Sequence, residues 1–172
     1  MQVDFFLMYF YFLSKSITMN QEKLEFLRRT FVNQLKALSP DTPPAFGKMN
    51  VQQMIEHMSD SIRYANGKDP QPIITPDERL GPMKAFILSE KDFRPNTPNS
   101  LMSDTPPPCR NASKDEAIAE LEKEIQDFVE YFESRPGITA NNPFFGALNY
   151  AEWVQGLHKH ALHHLRQFSV AV

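Results

Sequence analysis

The chain has one cysteine, Cys109, in 172 residues, so no intrachain disulfide can form. A reducing compartment, the cytoplasm, is the natural expectation. The thiol follows Pro106-Pro107-Pro108 in a loop-like stretch whose only adjacent cation is Arg110. Nothing in that setting favours the thiolate, and the thiol reads as inert. Positive charge is scarce as well: 18 Lys and Arg stand against 21 Asp and Glu, a net charge of −3, with no basic run. Nucleic-acid binding thereby loses its main electrostatic source of affinity, and a polybasic attachment to anionic lipid is equally unsupported.

A bilayer-spanning apolar run is also missing. Phe5 to Leu13, FFLMYFYFL, is too short to cross as a helix. It is a poor secretory signal too, because Asp4 stands where a basic region belongs and no small-residue cleavage site follows. Residues 1–18 therefore read in one of two ways. They are an aromatic arm packed on the domain or on a second copy, where an uncovered apolar surface favours association. Otherwise the start is misassigned and the protein begins at Met19. The second is preferred, because the amphipathic pattern starts directly after Met19.

What is present is enough for one ordinary domain over residues 19–172. Apolar residues make up 41% and charged residues 23%, and 14 Phe, 5 Tyr and 8 Met supply core bulk. Leu24, Leu27, Phe31, Leu35 and Leu38 recur at steps of three and four, the stripe of a helix over residues 20–38. The proline-rich Ser39–Pro44 ends it. A second helix starts at Asn50, with Gln53 in capping-box position, and runs through Met54, Ile55, Met58, Ile62 and Ala65 to Asn66-Gly67. Gly67 to Ala112 is long and rich in proline, with a short helix expected near Met83–Ser89. A loop of this length is functional or crosses from one end of the fold to the other. Ser113 and Glu116 open a third helix that ends before Arg135-Pro136-Gly137. Asn149 and Glu152 open a fourth, running toward the C-terminus. No repeat and no strand is evident. The expected fold is an all-α four-helix bundle, up-down-down-up, with the long crossover between its second and third helices.

All five histidines fall on two of these helices: His57 on the second, and His158, His160, His163 and His164 on the fourth. At about 100° per residue, Trp153, Leu157, His160, Ala161, His164 and Phe168 share the buried face. His158 lies nearly opposite, toward solvent, and His163 at the edge. An i, i+4 pair of imidazoles on one face can grip one metal ion, and His57 is the histidine left to supply a third nitrogen. It lies on the flank of its helix's apolar stripe. Three protein ligands leave a coordination position open, as catalytic zinc sites do. The rival reading is three hydrogen-bonded core histidines. Ala161 stands where a zinc protease of His-Glu-x-x-His type has its glutamate, so that chemistry is excluded.

Met49–Met58, MNVQQMIEHM, resembles the first histidine helix of the DinB-like superfamily of metalloenzymes. Glu152-Trp153 followed by HKHALHHLRQF, His158 to Phe168, resembles its last helix. KAFILSEKDFRP, Lys84 to Pro95, and NPFFG, Asn142 to Gly146, resemble an uncharacterised branch, and the likeness runs from about Asn20 to the C-terminus. The resemblance implies a four-helix bundle with a crossover, often dimeric, and a three-histidine site for nickel or zinc. Carried over by position, the ligands are His57, His160 and His164. His160 with His163 is the rival register. Gln167 matches a recurrent glutamine one turn later, and is either a partner of a ligand or a surface glutamine. Relatives of this kind are transferases using a low-molecular-weight thiol such as bacillithiol or mycothiol, or a metal-activated hydrolase or isomerase. Their shared physics is a metal that lowers the pKa of water or thiol. The resemblance thus implies a metal-dependent enzyme acting on a small molecule. A non-catalytic metal or ligand sensor is the alternative. The 67–112 segment, with Phe86, Lys91 and Phe93, either walls the pocket or simply packs.

Overall fold

The computed structural model describes residues 20–97, 99–103 and 105–171, so the 1–18 arm lies outside the described residues. Helix α1 is helical from residue 20 through Ala37. Its middle, Phe26–Phe31, is wound as a π-helix before α-helical geometry resumes at Val32. The wider turn, closed by hydrogen bonds to the fifth residue, lets Leu27, Phe31, Val32 and Leu35 all be buried. The simple three-and-four spacing gave no notice of this.

Helix α2, Val51–Ala65, begins with both bonds of a capping box between Asn50 and Gln53. Two orphan backbone N–H groups are satisfied there at once. Helix α3, Asp77–Leu88, starts six residues before the short helix expected near Met83–Ser89. Pro82 lies inside it, yet the helix continues, helped by Asp77 and Glu78 at its positive N-terminal end. Tertiary contact holds it as well: Ile87 is buried and lies so near Gly156 that a methyl group there would stand 3.3 Å from Ile87 Cγ1. Helix α4 is Lys114–Glu133. Its cap is split: Ser113 accepts from the Glu116 N–H, while the Glu116 carboxylate takes the N–H of Ala112, one residue earlier than a box requires.

An all-α reading needs one correction. Ala140–Asn142 (β1) and Gly146–Leu148 (β2) pair antiparallel, Ala140 opposite Leu148. Three-residue strands are too short to show alternation, and the connecting turn is what makes them. Asn142 Oδ1 accepts from the N–H groups of Phe144 and Phe145, and Gly146 closes the turn at φ +82°. Two other elements clasp the hairpin. Ile74 and Thr75 donate to the Pro143 carbonyl, and the Trp153 indole donates to Ala140.

Helix α5, Tyr150–Gln167, opens with a full capping box from Asn149 and Glu152. The core joins Leu27, Phe31 and Leu35 of α1 to Met54, Ile55, Met58 and Ile62 of α2, Leu121, Ile125 and Phe128 of α4, and Trp153, Leu157 and Leu165 of α5. Helix α2 packs on α4 and also on α5, so α2 and α5 are neighbours although 84 residues separate Ala65 from Tyr150. Among the described residues, no helix is long and apolar enough to cross a membrane. Removing the α5 cap tests the local account: Asn149→Ala should lower the unfolding free energy by about 1 kcal/mol. Urea denaturation should show a lower midpoint with an unchanged slope.

Candidate metal centre

Histidines are brought to one point by the α2–α5 contact. His57 Nε2 lies 3.1 Å from His160 Nε2, which lies 2.8 Å from His164 Nε2. Candidate ligand atoms of all three rings fall within 4.8 Å of one another. His160 and His164 meet because four residues make about one turn, and His57 reaches them from the facing helix. His164 is 3% exposed, while the other two are half-buried.

Hydrogen bonding decides which nitrogen of His164 faces inward. Gln167 Nε2 donates to the carbonyl of Phe46 at 2.9 Å, which turns the other end of the amide, Oε1, toward His164 Nδ1 at 2.8 Å. A carbonyl oxygen only accepts, so Nδ1 carries the proton and Nε2 presents a lone pair to the cluster. That is the arrangement a metal-ligating histidine needs, with the outer N–H held by a second residue.

Imidazole Nε2 has one in-plane direction, holding either a proton or a lone pair. His160 Nε2 faces two nitrogens at once, so hydrogen bonding satisfies at most part of this contact. Nitrogens bound about 2 Å from one ion lie about 3 to 4 Å apart. The spacings of 3.1 and 2.8 Å are close to this, and the His57–His164 pair, within 4.8 Å, needs only a small ring rotation to share the ion. The residues fit a divalent ion.

Electrostatics favour the uncharged rings that ligation requires. Burial, with repulsion from His163, pushes His57 down to about 4. Burial also holds His160 well below the usual imidazole range, with His164, His57 and His163 adding to the effect. His164 is lowered by burial and by His57, against an opposing pull from its bond to Gln167.

A family model for the DinB superfamily matches residues 23–168. The chain belongs to the DinB superfamily. No curated protein and no solved structure matches it. The matched span of this DinB-superfamily chain contains α2, α5, all five histidines and Gln167.

His163 stays out of the cluster. Its ring packs on Phe46 and Phe93, at centroid distances of 5.2 and 5.8 Å, so the His160–His163 register is not the one brought together. His158, expected in solvent, is half-buried with its ring edge-to-face on Phe26 at 4.8 Å, because α1 covers that side of α5. Its pKa falls to about 4 through burial and the nearby Lys23.

Three participants escaped the sequence. Lys159 is buried, its ammonium donating to the Phe86 carbonyl at 2.6 Å and lying over the Phe86 ring. Glu56, beside His57, is buried and accepts from the backbone of Arg110 and Asn111 and from the Gln52 amide. The Phe46 carbonyl holds Gln167. Only Glu56 had a local signal, a charged residue within an apolar stripe. Phe93 settles one alternative: its ring packs against Phe86, Phe145, His160 and His163, so the crossover segment both packs and borders the site.

Depressed imidazole pKa values carry a stability consequence. Between about 4, the folded value for His57, and 6.5, the ordinary value, the unfolded chain binds more protons than the folded one. Stability is therefore greatest above 6.5 and declines as pH falls through that window. Urea midpoints of metal-free protein should drop between about pH 7.5 and about pH 5, less steeply in His57→Gln. Equal slopes in the two proteins would remove His57 as a contributor.

Proposed function

We propose that His57, His160 and His164 bind one divalent ion, nickel or zinc, and that the chain is a metal-dependent enzyme for a small-molecule substrate. The reaction class is thiol transfer or hydrolysis. The observation that carries this reading is the convergence of three Nε2 atoms, one of them with its lone pair turned inward by Gln167. Three nitrogen donors of intermediate softness suit zinc or nickel better than calcium or magnesium. When bound there, with a coordination position left open, such an ion supplies Lewis acidity that lowers the pKa of water or a low-molecular-weight thiol.

The chain's own residues do the rest. Gln167 holds His164 in one tautomer. Phe93, packed on His160 and His163, excludes water from one side of the cluster and leaves the rings uncharged. Asp92 pairs with Arg166 at 2.8 Å, tying the segment that carries Phe93 to α5. The four long helices are read as an up-down-down-up bundle with α3 in the crossover, and the working form as a cytoplasmic homodimer.

Elemental analysis of protein purified without a histidine tag tests the ligand set. Wild type should carry about one ion per chain, and His160→Ala should lose it while remaining folded. A conjugation screen offering bacillithiol, mycothiol and electrophilic acceptors, run beside an ester and amide hydrolysis panel, tests the enzyme reading. Turnover that disappears in His160→Ala supports catalysis. A metal-loaded protein with no turnover in either panel would overturn the reading in favour of a non-catalytic metal- or ligand-binding protein.

A further inference from the structure

The turn at Phe46–Gly47, before α2, is joined to the C-terminal end of α5 from several directions. Ala45 N–H donates to the Gln167 carbonyl at 2.7 Å, and the Gln167 side chain donates to Phe46. Gly47 N–H donates to Asn96 Oδ1 at 3.1 Å, so the crossover segment holds the turn from the other side. Gly47 has φ +75°, a region that side chains disfavour. A Cβ placed on it would stand 2.6 Å from Gln167 Nε2.

From this placement we infer that the Phe46–Gly47 turn is a positioning element for the histidine cluster, selecting the tautomer of His164 through Gln167. The Phe46 carbonyl admits only the NH₂ end of the amide, which commits the oxygen end to His164. Gly47 leaves the space in which that amide lies. A side chain at 47 meets the flexible end of a glutamine rather than backbone, so the fold accommodates it by moving Gln167. The site then loses the hydrogen bond that fixes Nδ1–H. The inference concerns the tautomer directly, and rests on the proposed metal site only for its effect on affinity.

Gly137 supplies a matched control, since its φ is +83° and a Cβ there meets nothing within 4 Å. Gly137→Ala carries a comparable backbone cost with no push on Gln167. The ¹⁵N shifts of the His164 ring in metal-free protein should report a protonated Nδ1 in wild type and Gly137→Ala. Gly47→Ala and Gln167→Leu should show a mixture of tautomers. Cobalt(II) affinity should fall about 10- to 100-fold in Gly47→Ala and in Gln167→Leu. The double variant should fall no further than Gln167→Leu, because Gly47 acts through that side chain. An unchanged His164 tautomer in Gly47→Ala overturns the inference. So does an additive loss in the double variant, or an equal loss in Gly137→Ala. A tautomer that depends on Gly47 in a protein that binds no cobalt upholds the positioning role and removes the metal reading instead.

Discussion

Packing of α2 against α5 is the constraint on which the histidine site depends, since it sets His57 beside His160 across 103 residues of sequence. Each helix buries an apolar face, through Met54, Ile55 and Met58 on one side and Trp153, Leu157 and Leu165 on the other. Apolar burial of this kind is worth about 1.5–3 kcal/mol for each large side chain and is indifferent to what chemistry it carries along. Imidazoles at the margin of that contact are brought together by it. Burying them costs free energy unless their nitrogens find partners, and two interlocked contacts and one amide supply these only in part. The proposed divalent ion would complete the set, and the apolar packing would then be what holds its ligands together.

Two buried carboxylates hold α2 against the segments around it. Glu56 takes the backbone N–H groups of Arg110 and Asn111, fastening the far end of the crossover to the turn of helix that carries His57. Burial alone would raise its carboxyl pKa. Those backbone donors and the Gln52 amide outweigh burial and draw it below the usual value. At the other end of α2, Glu124 of α4 accepts from Arg63, Asn66 and Lys68. A buried carboxylate is tolerable only when so fully hydrogen-bonded, and the geometry it demands leaves little freedom to the chain around it. The long connection between α2 and α4 is thereby pinned where it leaves α2 and where it rejoins α4.

Between those pins the connection folds over the site. Helix α3 lies on α5 through Ile87 and Gly156. The irregular residues after it bring Phe93 onto His160 and His163, and Asn96 reaches the Phe46–Gly47 turn. Lys159 is buried on the same side, its ammonium on the Phe86 carbonyl and ring. A charged residue there is workable because its long apolar stem packs while the cation finds both an acceptor and a π-face.

Local chemistry was legible in the sequence wherever one helix settles the matter. The boundaries at Asn50, Ser113 and Asn149 follow from capping residues and proline. The buried face of α5 follows from periodicity, so His160 and His164 could be paired without coordinates. Contacts between distant segments were not legible in residue types and spacing. The meeting of His57 with His160, the Phe46 carbonyl, the burial of His158 and Lys159, and the three-residue strands all depend on which segments become neighbours. Backbone atoms such as the Phe46 carbonyl carry no signal in residue type at all. Elimination among five histidines nominated His57 and resemblance to other chains nominated Gln167, but spacing could not bring either to the cluster. Sequence alone thus determined the helices and which faces they bury, because those depend on interactions within a few turns. Only the tertiary structure decided which nitrogen of His164 faces the centre, because that choice belongs to the Phe46 carbonyl acting through Gln167.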